Sequence, residues 1–100
     1  MLSWLCVTMT KSKCVIIEVF GRVQGVWFRK HAKDFADSLG IVGQAKNNPD
    51  DTVTIKACGE ISALKEMVEW SKKGSPMARV EKVDFNFSDD KCENDNFVIL

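Results

Sequence analysis

The residues best suited to chemistry lie between Gly21 and Lys30, which read GRVQGVWFRK. The stretch follows an apolar, β-branched run, Cys14 to Phe20, and leads into Phe28 to Leu39, whose apolar spacing is helical. It therefore reads as a loop delivering a strand into a helix N-terminus. The first N–H groups of a helix have no intrahelical partners and sit at the positive end of its dipole, so an anion placed there gains hydrogen bonds and charge stabilisation. Helices usually cap these donors with Ser, Thr, Asp or Asn, and none occurs between Gly21 and Phe28. Gly21 and Gly25 allow close backbone approach, and Arg29 in the first turn can add a planar cationic fork. The local features also admit a plainer description, a connection with turn-forming glycines and a solvated arginine.

Other reactive groups are poorly placed. His31 is the only histidine and falls beside Lys30 on the helix, where a surface role suits it better than general-base work. No cysteine has an arginine at the Cys-x5-Arg spacing of thiol phosphatases, and the Gly-x4-Gly-Lys-Ser/Thr nucleotide loop is absent. Asp50-Asp51 and Asp89-Asp90 lack the spacing of a calcium loop and read as solvated turns. Trp27 and Trp70 read as packing residues.

The elements that must position the loop follow from the pattern. Strand one spans Cys14 to Phe20. Helix one carries Phe28, Ala32, Phe35, Ala36 and Leu39 on one stripe and stops at Gly40. Strand two, Val42 to Asn47, turns at Asn48-Pro49-Asp50-Asp51 into strand three, Thr52 to Cys58, where Val53, Ile55 and Ala57 alternate with Thr54 and Lys56. Helix two, Ile61 to Lys73, has Ile61, Leu64, Met67 and Val68 as its core stripe, with Lys72 and Lys73 suiting its C-terminal dipole and Gly74 ending it. Arg79 to Phe87 returns as a strand, Ser88 to Asn96 as loop, and Phe97 to Leu100 as a short final strand. The order β-α-β-β-α-β plus a terminal strand predicts an α+β fold, a ferredoxin-like sandwich with two helices on one face of an antiparallel sheet. In that fold the loop before helix one and the strand two to three hairpin can approach each other at one sheet edge, which would bring Asn47 towards Arg29.

At 100 residues, 45% hydrophobic and 28% charged, the chain has the composition of one soluble globular domain over residues 13–100. Its formal net charge of 0 argues against a nucleic-acid partner, which would call for a basic surface. Residues 1–12 have neither a basic leader nor a long apolar core, and are expected to form a loosely ordered extension, with Met9 as an alternative start. No run is long enough to span a bilayer. Cys6, Cys14, Cys58 and Cys92 are scattered, with no CxxC pair. They are expected to be reduced thiols of a cytoplasmic, monomeric protein.

The wording of the loop is more specific than its physics. GRVQGVWFR strongly resembles the acylphosphatase signature Gly-x-Val-Gln-Gly-Val-x-Phe-Arg, and the likeness continues through Gly40 to Asn47 (GIVGQAKN), the hairpin to Thr52-Val53, Gly74-Ser75-Pro76 and Ala78-Arg79-Val80. It takes in nearly the whole chain from Lys13 to Leu100. The resemblance implies hydrolysis of an acyl phosphate, a carboxylic-phosphoric anhydride, without metal or cofactor. It assigns catalysis to Arg29 and Asn47, and phosphate binding to Gly21, Val23, Gln24, Gly25, Val26, Trp27, Phe28 and Arg29. Read from the residues alone, Asn47 suits a turn-initiating position ahead of Pro49 better than a catalytic one. The chain departs from the family pattern at Gln44, where tryptophan is usual, at Asp51, where glycine is common, and at Asn94, where tyrosine is common. The alternative expectation is a catalytically weak phosphate- or partner-binding module on the same fold. An RNA-binding sheet is disfavoured because strand three, TVTIKAC, has no aromatic residue for base stacking.

Overall fold

The computed structural model describes residues 13–89 and 94–100. The expectations for residues 1–12, and for Cys6 and Cys92, lie outside them. Seven elements follow in order: β1 (Lys13–Arg22), α1 (Phe28–Ser38), β2 (Val42–Asn47), β3 (Val53–Gly59), α2 (Ile61–Lys73), β4 (Arg79–Ser88) and β5 (Phe97–Ile99). The sheet runs β4-β1-β3-β2-β5. Its first four strands are antiparallel, but β5 lies parallel to β2, with Gly43 opposite Phe97 and Ala45 opposite Ile99. The antiparallel sheet of the sequence is therefore mixed. The terminal strand crosses from β4 at one edge to the far edge, a long-range choice that no local pattern encodes.

One face of the sheet makes the core. Val15, Ile17 and Val19 on β1 stand opposite Ala57, Ile55 and Val53 on β3, and all are fully buried. The alternation on β3 thus has the predicted meaning, apolar towards the helices and Thr54 and Lys56 towards the open face. Phe28, Ala32 and Ala36 of α1 and Leu64, Met67 and Val68 of α2 close over this layer. Trp70 joins the helices, stacking on Phe35 at 5.8 Å and meeting Phe28 at 5.1 Å, so it packs as expected. α1 ends as its sequence predicts: Gly40 takes φ 71°, and the N–H groups of Gly40 and Ile41 bond Asp37 O and Ala36 O, which satisfies carbonyls the last turn would otherwise leave open.

Cys14 and Cys58 form a disulfide, against the expectation of reduced thiols. They are cross-strand neighbours on β1 and β3, with Cα atoms 4.0 Å apart. Their separation of 44 residues hid the contact, because it depends on the register between two strands. Among the described residues no helix is long and apolar enough to cross a membrane.

Candidate functional site

β1 and β4 run in register to Phe20 opposite Lys82, then slip so that Gly21 faces Val80, a bulge that turns the chain out of the sheet. Gly21 has φ 124°, and a Cβ there would lie 2.1 Å from the carbonyl oxygen of Arg79. Only glycine fits this exit. Beyond it, φ is positive at Gly25 (73°) and Trp27 (62°), while Gln24 and Val26 stay on the ordinary negative side. Alternation of backbone hand turns successive N–H groups to one side and makes a concavity that suits an anion. Trp27 is the N-cap of α1 and provides no side-chain cap, so the helix's first donors have no cap of the usual kind.

Three contacts hold this loop. Gln24 Nε2 donates to both Asn48 O and Thr52 O at 2.9 Å, tying it to the β2–β3 hairpin. Buried Ser75 donates from Oγ to Val26 O at 2.7 Å, tying it to the turn after α2. Val23 and Phe28 are anchored in the core. The Gln24 side chain is thus committed to the hairpin.

Arg29, Asn47, Val23, Gly25, Trp27 and Phe28 share one cleft of about 440 Å³ with Lys30 and Ile99. The expected meeting of loop and hairpin is therefore present, with Arg29 and Asn47 in one wall lining. Gly21, Gln24 and Val26 do not line the cleft. Among the described residues its lining has two cationic side chains, Arg29 and Lys30, and no Asp or Glu, so its field favours an anion. Arg29 also donates from its guanidinium to the backbone oxygen of Leu100. Asn47 is exposed at the end of β2 and makes no side-chain hydrogen bond among the described residues.

The hairpin has its own bonds. Asn48 Nδ2 donates to Thr52 Oγ1 at 2.9 Å and to Thr54 Oγ1 at 2.6 Å. Asp50 accepts from the hydroxyl and N–H of Thr52, and those bonds hold its carboxyl below the usual carboxylate range. Their support is complete above that range and fades as the pH falls. Asp51 takes φ 71°, the conformation in which glycine would be unstrained.

Sequence reasoning gave no site role to Lys30, Ile99 or Ser75, although Lys30 ends the stretch GRVQGVWFRK and Ser75 lies within Gly74-Ser75-Pro76. It also took Trp27 as packing, whereas Trp27 is 70% exposed, because the left-handed backbone swings its side chain out of the core. Gln44 pairs on the sheet face away from the helices and does not line the cleft. His31 does not line it either; its Nδ1 lies 3.0 Å from Trp27 O, which places a proton on that nitrogen.

The acylphosphatase family model matches residues 15–99. The chain belongs to the acylphosphatase family. It is 47% identical over 77 residues to acylphosphatase-2 of Xenopus tropicalis, a match spanning 76% of this chain and 75% of that one. Among solved structures it is similar to the acylphosphatase of Coxiella burnetii (TM-score 0.86, 29% identity, 92% of this chain and 96% of that one). The acylphosphatase of Bacillus subtilis is another (TM-score 0.84, 36% identity, 88% and 98%). Two helices on a five-stranded sheet give this chain a ferredoxin-like α+β fold, consistent with its likeness to these acylphosphatases.

Proposed function

We infer that this chain is an acylphosphatase, an enzyme that splits an acyl phosphate into a carboxylate and inorganic phosphate. The observation that carries it is a single cleft in which an uncapped helix start, a loop of alternating hand, Arg29 and Asn47 come together in a chain of this family. The loop N–H groups and Arg29 hold the phosphoryl oxygens; Lys30 adds charge at the rim. A phosphoryl group keeps its charge on the equatorial oxygens throughout transfer, so donors already in place stabilise it without reorganising.

Asn47 orients the attacking water. Its amide offers a donor and an acceptor, and a strong base is unnecessary because a carboxylate leaves readily. The water oxygen forms a bond to phosphorus, the bond from phosphorus to the acyl oxygen breaks, and its electron pair leaves with the carboxylate. The water's proton passes to the phosphate product or to solvent. No step in this scheme calls for a metal, which hydrolysis of benzoyl phosphate in the presence of a chelator tests. Gln24 acts through the hairpin, setting where Asn47 stands.

We further propose that the protein works as a monomer on a small molecule rather than on nucleic acid, which sizing on a column and a binding assay with RNA would check. A cytoplasmic location makes a specific demand, since thiol pools there keep most cysteines reduced. A Cys14–Cys58 bridge found in protein isolated with its thiols blocked would count against it.

A further inference from the structure

Trp27 carries an unusual combination of backbone and environment. Its φ of 62° and ψ of 22° lie in the left-handed region, which a residue with a Cβ enters at an expense of roughly 1–2 kcal/mol and which bulky residues seldom occupy. The concave loop demands that conformation, yet glycine would meet the demand without strain. Packing does not compensate, because the side chain is 70% exposed. A large indole held out at the lip of the cleft gains nothing from the fold.

The surroundings say what the indole can contact. With the phosphoryl oxygens on the loop and Arg29, the acyl group must lie against what remains of the lining. The exposed apolar members of that lining are Trp27 and Ile99, the latter 40% exposed. Leu100, whose backbone oxygen accepts from Arg29, adds a side chain 58% exposed beside them. Taking the chain as an acylphosphatase, we propose that Trp27, with Ile99, forms an acyl-group subsite that selects acyl phosphates whose acyl part is aromatic or otherwise broad and apolar. An indole face offers a flat apolar surface that a benzoyl ring covers and an acetyl group does not.

Selectivity, the ratio of kcat/KM for benzoyl phosphate to that for acetyl phosphate, tests this, because the ratio cancels any loss common to both substrates. Trp27→Ala and Trp27→Gly should lower it by about 3- to 10-fold, the range an aromatic contact is worth, and Trp27→Phe should keep it within about two-fold of wild type. Glycine is at ease at this φ, so the second variant folds even if the first does not. Independently of turnover, wild-type protein should bind phenylphosphonate about 3- to 10-fold more tightly than methylphosphonate and change its tryptophan emission with the first, a change that Trp27→Phe removes. A ratio unmoved in Trp27→Gly, or equal affinity for the two phosphonates, would overturn the subsite. Failure of the wild type to hydrolyse either acyl phosphate would instead count against the enzyme, while the phosphonates still decide whether Trp27 meets the ligand.

Discussion

Replacing Gln24 with alanine removes two hydrogen bonds of 2.9 Å that join the anion-facing loop to the hairpin carrying Asn47. The two acceptors would not be orphaned. Thr52 O also accepts from Asn48 N at 2.8 Å, and Asn48 O from Asp51 N at 3.2 Å. The loss is therefore the net worth of two bonds, about 1 kcal/mol each, rather than the larger penalty of a stranded polar group. A total of about 2 kcal/mol corresponds to a fall in Tm of roughly 8–16 °C in a domain of this size. Turnover should suffer separately. The phosphate-binding loop keeps its Ser75 anchor and Arg29, so KM should change little, while a hairpin free to drift misplaces Asn47 and lowers kcat by roughly 10-fold or more. Thermal unfolding and steady-state hydrolysis of benzoyl phosphate measure the two effects. An unchanged Tm would show that the tie carries no stability. A raised KM with kcat intact would show that Gln24 serves the phosphate directly, contrary to its place on the hairpin carbonyls.

Gly21→Ala should destabilise by at least about 2 kcal/mol in denaturant unfolding, because its Cβ would press 2.1 Å from the Arg79 carbonyl oxygen. Asp51→Gly should act oppositely and stabilise by up to about 1 kcal/mol in the same assay, since glycine relieves the left-handed backbone at φ 71°. Reduction of the Cys14–Cys58 bridge, which spans 44 residues, should lower stability by about 4 kcal/mol if chain entropy dominates, seen as a lower urea midpoint with activity kept at low denaturant.

Local chemistry was the legible part of this chain. The bounds of α2, Ile61–Lys73, follow from its apolar stripe and from Gly59 and Gly74 on either side, and the open helix start at Phe28 follows from the absence of a capping residue in the loop. The proximity of Arg29 and Asn47 was legible because the order of elements brings the first loop and the hairpin to one end of the sheet. What remained hidden depended on register or on backbone hand. The Cys14–Cys58 contact needs the alignment of β1 with β3, and the parallel placement of β5 needs the whole sheet. Trp27 looks like a core residue by type, and only its φ turns it outward. The Gln24 side chain belongs to a binding motif by sequence and to a hairpin tie by geometry.

The most direct test is hydrolysis of benzoyl phosphate by purified protein with chelator present, run beside Arg29→Ala and Asn47→Ala. Wild type should turn over; Arg29→Ala should lose most activity through weakened phosphate binding, and Asn47→Ala should lose roughly 10²- to 10³-fold in kcat, the scale of one removed preorganised donor. Folded Arg29→Ala or Asn47→Ala protein with near-wild-type turnover would contradict the proposed roles, and wild type that binds phosphate but hydrolyses nothing would contradict the enzyme itself.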